Sequence, residues 1–367
     1  MKLSFFTMPI HPVGRNWTQT LNEDREAVML ADRLGYAEAF IGEHVTDAAE
    51  TITSSLMFLA SLAFTTKSIK LGTGTVNMPN NHPAQVAAQV AMIDHMLKGR
   101  FIFGISPGGL RSDAEVFGNL DADRNAMFLE AIDQVLAIWA GTPPYNIKGK
   151  FWTISTERTL IAEIGQGIMA KPFQRPHPPI VVTAVAPFSK GITAAAARGW
   201  TPISANFLQP VWVASHWSKY AEGCAQAGRP ADPADWRVAK SVFVADDEAT
   251  ALKYAKGADG PYTFYYRNLM RKLLASRGGE IFKADPKMPD DKLTLDYVLD
   301  TMVIAGTVDS VVDQILALRA TTGDFGTLVY AGHDWMDERL ARRSMELMAT
   351  DVMPAVNRAI GKRTAAQ

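Results

Sequence analysis

Short, largely apolar stretches recur along this chain at helix-length intervals, and that alternation restricts the fold more than any other feature. They fall at residues 3–7, 37–41, 69–73, 101–106, 180–184, 201–204, 238–244 and 326–330. Helical periodicity lies between and after them, at 21–34, 52–65, 83–97, 126–140, 189–198, 210–227, 307–319 and 337–352. Strands without polar alternation are buried on both faces, as in a parallel sheet covered by helices. Eight strand–helix repeats are the count of an α/β fold of the (β/α)8 or TIM-barrel type, here one domain over 1–360.

Three segments exceed the plain repeat. Residues 107–125 follow the fourth strand and carry glycine and aspartate. Residues 141–179 precede the fifth strand and read as a strand pair or a long loop around Gly149-Lys150-Phe151-Trp152. Residues 255–301 follow the seventh strand, aromatic at first and then rich in Lys, Asp and Pro. Long segments of this kind in a compact fold are usually functional or unordered. All three are expected at the barrel mouth as walls and a lid, the alternative for the third being a solvated linker.

Composition removes several classes. A net charge of −1 over 367 residues, with no basic run interleaved with aromatics, excludes a nucleic-acid or membrane-surface partner. Cys224 is the single cysteine, so an internal disulfide and a cysteine zinc cluster are excluded, and a reduced, cytoplasmic setting is expected. No His/Asp/Glu set has metal-ligand spacing. The N-terminal apolar run soon meets Pro9, His11 and Pro12 and reads as a first strand rather than a signal peptide. No apolar run approaches the ~20 residues that span a bilayer. Gly72-Thr73-Gly74-Thr75 imitates a dinucleotide fingerprint but lacks its third glycine, and a Pro-Asn-Asn turn stands where a helix should open.

Ligands of parallel α/β folds bind at the carboxyl ends of the strands, and that is where the chemistry-bearing residues fall. Glu43-His44 ends the second strand, where a histidine can exchange a proton near neutral pH or merely satisfy loop carbonyls. Asn77 offers a donor and an acceptor to a heterocycle edge or to its own turn. His82, just before Pro83, reads as a helix-cap residue. Ser189 opens an alanine-rich helix whose free N–H groups favour an anion, with Arg124 as a possible permanent charge; a plain cap is the alternative. His333-Asp334 forms a further rim pair.

Taken in order, Ile41-Gly42-Glu43-His44, Lys98-Gly99-Arg100-Phe101, Gly104-Ile105-Ser106-Pro107-Gly108-Gly109 with Ser112-Asp113 and Gly118, Gly149-Lys150-Phe151, Thr201-Pro202-Ile203-Ser204 and His333-Asp334 resemble the flavin-dependent, luciferase-like monooxygenases, particularly their diketocamphane and limonene branch. The resemblance implies a barrel that binds FMN as FMNH2, as a homodimer, fed by a separate NAD(P)H:flavin reductase. Met8, Thr75, Asn77 and Ser106 match isoalloxazine contacts, and Gly74-Thr75 matches a cis peptide. Arg124, Ala184, Ala186 and Ser189 match the phosphate end. His44 matches a catalytic histidine, with Glu43 beside it. His11, Phe207, Tyr262, Tyr265 and His333 are the candidate contacts of a small apolar, cyclic or carbonyl-containing substrate, with Phe264 and Met8 nearby, although such residues also serve as packing. The chemistry implied is O2 activation as a C4a-peroxyflavin, leading to Baeyer–Villiger oxygenation, hydroxylation or epoxidation. Pro107 stands where bacterial luciferases carry an arginine, which shifts weight to Arg124 or to backbone N–H groups. The rivals are F420-dependent hydride transfer on the same barrel, a non-catalytic flavin binder, and a metal-dependent hydrolase.

Overall fold

The computed structural model describes residues 1–276 and 278–365, so Arg277, inside the 255–301 insertion, lies outside the described residues. The parallel strands are β1 Lys2–Thr7, β2 Glu38–Ile41, β3 Lys70–Thr73, β4 Phe101–Ser106, β5 Ile180–Ala184, β6 Thr201–Ser204, β7 Arg237–Val244 and β8 Thr327–Ala331. They hydrogen-bond in the order β7–β8–β1–β2–β3–β4–β5–β6, and β7 also pairs with β6, which is the closed strand order of a (β/α)8 barrel. The strand Val303–Gly306, which the sequence pattern does not mark, joins the carboxyl half of β7, from Ser241↔Val303 to Val244↔Gly306. Each sequence-expected strand matches an observed one to within a residue.

By contacts the chain divides into two compact units. One comprises Met1–Ala39, Ala49–Thr51 and Val182–Gln367; the other comprises Phe40–Ala48 and Ile52–Val181. In the first, β8 lies between β1 and β7, with Lys2 and Arg237 both in register with Thr327. Its core holds Phe5, Val238, Val242, Leu328 and Val329. Helix Trp17–Arg33 starts where the Asn16 side chain accepts the Gln19 N–H. The 255–301 segment is no solvated linker. Helix Pro261–Ala275 starts with proline after Gly260, and it buries Tyr262, Tyr265 and Tyr266 among Phe243, Phe282 and Met302. Gln209 Nε2 donates to the carbonyl of Phe282 at 2.7 Å and to Thr301 Oγ1 at 2.8 Å, fastening the segment beside the exit of β6.

In the second unit, β3 and β4 are locked by one threonine. Thr73 Oγ1 donates to the Gly104 carbonyl at 2.7 Å and accepts the Gly104 N–H at 2.9 Å. A Cβ at residue 104 would stand 1.8 Å from the Thr73 carbonyl oxygen, so only glycine fits. His82 is the N-cap of helix Pro83–Met96 and accepts the Ala84 N–H, as expected. The hairpin Asn146–Lys148/Thr153–Ser155 bears out the strand-pair reading.

The placement of 141–179 at the mouth is corrected. Lys171 Nζ donates to the carbonyls of Ile138 and Gly141, and Gln174 bonds Asp94 and the Phe101 carbonyl at the very start of β4. A segment that connects a helix to the next strand is carried to the amino ends of the strands, away from the ligand-binding face.

Candidate active site

His44 follows β2, and the structure supplies the partner that its sequence neighbourhood did not show. Asp113 Oδ2 lies 3.0 Å from His44 Nδ1. Asp113 sits in the first turn of the short helix Arg111–Val116 and is 2% exposed. Its other oxygen accepts the N–H groups of Val45 (3.1 Å) and Thr46 (2.9 Å) and the Thr46 hydroxyl (2.6 Å). Burial opposes its ionisation, but the bonds from His44 and Thr46 outweigh it and hold the carboxyl at about 2. An ionised Asp113 accepts a hydrogen bond from Nδ1–H, which leaves Nε2 as the basic nitrogen of the neutral ring.

Glu43, expected in a catalytic role beside His44, is instead a structural acceptor. Its carboxylate takes the Ser55 N–H at 2.9 Å, the Ser55 hydroxyl at 2.7 Å and the Asn77 N–H at 3.1 Å. Burial raises its pKa, and those bonds oppose the rise. With its acceptors spent on the start of helix Ser55–Leu62 and on residue 77, Glu43 anchors the loop rather than moving protons.

Thr75, Asn77 and Ser106 do come together. Thr75 Oγ1 donates to Ser106 Oγ at 2.6 Å, Ser106 donates to Asn77 Oδ1 at 3.0 Å, and the Gly108 N–H donates to Ser106 Oγ at 3.1 Å. The Gly74–Thr75 peptide is cis, as the resemblance implied. Arg124 opens helix Arg124–Ala140 and donates to the Gly108 carbonyl at 3.2 Å, which ties it to the same turn.

In the first unit, β5 ends at Ala184, whose carbonyl accepts the Ala205 N–H. Ala186 and Ser189 follow in an exposed turn before helix Lys190–Ala197. Ser189 is the N-cap by conformation, yet its hydroxyl makes no cap bond to the first-turn N–H groups. Met8, at the exit of β1, is half-buried.

The substrate-contact expectations divide. Phe207 is half-buried against the aromatic cluster of helix Pro261–Ala275. Tyr262 and Tyr265 turn their hydroxyls inward, to the Val242 carbonyl (2.6 Å) and to Asn206 Oδ1 (3.4 Å), and so act first as packing. Their rings flank His333, with centroids 4.1 and 4.5 Å away. His333 Nε2 meets Ser241 Oγ at 3.0 Å, while its buried Nδ1 has no partner among the described residues. Burial pushes its pKa down to about 3, so the ring is neutral.

His11 is corrected as a substrate contact. It is 1% exposed, with Asp334 on Nδ1 and Asp24 on Nε2. Burial alone would lower its pKa, but the two carboxylates raise it to about 9, and the ring is a cation locked in place. Arg15 bridges Asp334 (2.5 Å) and Glu23 (2.8 Å). His11, Glu23 and Asp334 have ligand atoms within 4.8 Å of one another, but the Arg15 guanidinium already bonds Glu23 and Asp334.

Comparison with known proteins decides the lineage. The family model for luciferase-like monooxygenases matches residues 1–324. The chain belongs to the luciferase-like monooxygenase family. It is 31% identical to 4-hydroxyprotoasukamycin monooxygenase of Streptomyces nodosus subsp. asukaensis, over 99% of this chain and 95% of that one. It is 30% identical to limonene 1,2-monooxygenase of Rhodococcus erythropolis, over 98% of this chain and 87% of the relative. Among solved structures, the oxygenating constituent of 3,6-diketocamphane monooxygenase of Pseudomonas putida, a type II Baeyer–Villiger monooxygenase in complex with FMN, superposes with a TM-score of 0.86. That match is 26% identical and covers 96% of this chain and 98% of that one. No helix among the described residues is long and apolar enough to cross a membrane.

Proposed function

We propose that this protein is the oxygenase component of a two-component system, in which reduced FMN from a separate NAD(P)H:flavin reductase is used with O2 to oxygenate a small apolar, cyclic or carbonyl-containing molecule in the cytoplasm. The observation that carries the reading is the His44–Asp113 pair at the exit of β2, in a chain of this family.

The residues present fit FMN in the chemistry of their donors. The Thr75–Ser106–Asn77 chain offers hydroxyl and amide groups to a ring edge, with Met8 as an apolar contact. The uncapped start of helix Lys190–Ala197 offers N–H groups, and Ser189 a hydroxyl, to a phosphate. Ala184 and Ala186 shape that turn, and Arg124 supplies a permanent positive charge on its own helix. Reduced FMN, when bound, supplies the two electrons that activate dioxygen. Asp113 holds the His44 ring so that Nε2 takes or returns one proton, which selects between attack on a carbonyl and transfer to electron-rich carbon. Helix Pro261–Ala275 and its aromatic cluster keep water from the β6 and β7 exits. Phe207 is the contact offered to an apolar substrate, with Tyr262, Tyr265 and His333 shaping the wall behind it.

A homodimer is also proposed. Met57 and Met92, on helices Ser55–Leu62 and Pro83–Met96, and Phe64, just past the first of them, are 76, 57 and 80% exposed, an apolar set suited to a second copy.

The decisive experiment supplies the pure protein with photoreduced FMN, O2 and a panel of cyclic ketones and terpenes, with reduced F420 in parallel. Substrate-dependent oxygen uptake with an oxygenated product is expected. Flavin oxidation no faster than in buffer, with F420H2 consumed instead, would replace the reading by hydride transfer.

A further inference from the structure

The helix that follows β6, Pro210–Gln226, grips the turn after β5 at two consecutive residues, and the grip has a forced direction. Trp236 Nε1 lies 3.0 Å from Ser204 Oγ, Ser204 Oγ lies 2.8 Å from His216 Nδ1, and His216 Nε2 lies 3.1 Å from the Ala186 carbonyl oxygen. An indole N–H can only donate, so Ser204 accepts from Trp236; a carbonyl can only accept, so Nε2 carries the ring proton and donates it to Ala186. Nδ1 of the neutral ring is then an acceptor, and Ser204 donates its hydroxyl hydrogen to it. Trp236, Ser204 and His216 are all 0% exposed, so water does not compete for these bonds. Burial holds the His216 pKa down at about 4, and the neutral tautomer persists through the physiological range.

The adjacent residue completes the hold. Ser215 Oγ accepts the Phe188 N–H at 2.9 Å and donates to the Trp212 carbonyl at 2.6 Å. Phe188 has φ +51°, a conformation that L residues rarely adopt and that persists only where contacts over-determine it. Its ring meets Trp212 edge-on, with centroids 6.4 Å apart. The next residue is Ser189, whose hydroxyl is left off its own helix.

We propose that His216, with Ser215, is a positioning residue for the phosphate end of the flavin: the relay from Trp236 sets the Ala186–Ser189 turn so that the N–H groups and hydroxyl at the head of helix Lys190–Ala197 face outward together. This rests on the reading above that this turn holds the FMN phosphate. His216 touches no ligand itself; it acts through the backbone of Ala186.

The test is an anaerobic titration of the full-length protein with photoreduced FMN and, separately, with photoreduced riboflavin, which has the same ring and no phosphate. His216→Leu, which keeps bulk but removes the donor to Ala186, is expected to weaken FMN about tenfold and to leave riboflavin unchanged. His216→Gln, which can still present an N–H to that carbonyl, is expected to recover most of the loss. If His216→Leu folds poorly, Ser215→Ala tests the same hold by removing the acceptor of the Phe188 N–H. Equal weakening of both flavins, or no change in either with the fold intact, overturns the inference. The underlying reading fails separately: wild-type protein that binds FMN no better than riboflavin, or Ser189→Asp protein that binds FMN undiminished, removes the phosphate from this turn whatever His216 does.

Discussion

His11 and His44 both leave the carboxyl end of a strand and both bond a buried aspartate, yet the structure puts them to opposite uses. His11 has a carboxylate on each ring nitrogen and 1% exposure, so its proton is trapped and the ring is a fixed positive charge. His44 has Asp113 on Nδ1, and its side chain keeps 16% of its surface. Two carboxylates and burial make a tie; partial access to solvent leaves a ring that can exchange its proton. The residue type and its place after a strand are the same in both cases. Environment alone separates them.

The largest expected effect lies on the His44 side. His44→Ala should retain flavin binding and lower the oxygenation rate by ~10²–10⁴-fold, read by single-turnover product formation; a turnover equal to wild type would erase the contrast with His11. Asp113→Asn should follow with a smaller loss in rate at unchanged flavin affinity, because an amide can no longer fix the ring proton on Nδ1.

The His11 side should show itself in stability rather than in rate. Its pKa is raised from 6.5 to about 9, so its contribution is whole below pH 6.5 and is lost as the pH rises through 9, about 3 kcal/mol in all. Urea midpoints measured between pH 6 and 10 should fall steeply for wild type and less for His11→Gln; parallel curves would mean that His11 is not the trapped cation. Glu43→Gln should cost ~1–3 kcal/mol through a lost acceptor, with little change in rate per folded molecule, as melting and active-site titration would report. The smallest effect expected is Phe64→Glu, which should shift the elution volume toward a monomer and leave the stability of the single chain nearly unchanged.

Much of the fold could be read from the chain because its strands are buried on both faces, which makes burial visible as composition at 37–41 or 101–106. Helix Pro261–Ala275 was passed over although Gly260-Pro261 is a start signal, since its aromatic run suggested a wall before it suggested a helix. Strand Val303–Gly306 is four residues long and directly continues helix Leu295–Met302, so no turn signal marks it. The site was legible only where residue type restricts chemistry. Asp113 lies 69 residues from His44 inside an insertion, and its one local cue is an acidic residue in the first turn of a short helix. His216 reads in the sequence as helix filler, because its importance comes from Ser204 and Ala186, which belong to other elements. Length alone suggests the mouth for 141–179, but connection order dictates the opposite end.

The tie between His11 and Asp334 spans 323 residues and joins the exits of the first and last barrel strands. While the polypeptide is being synthesised, Asp334 emerges 323 residues after His11, so His11, Arg15 and Asp24 are without it until then. Once β8 docks, the same charges are desolvated as a matched set, which makes closure a late and cooperative event. A ribosome-bound fragment ending before residue 327 should therefore leave this histidine titrating like one in an open peptide.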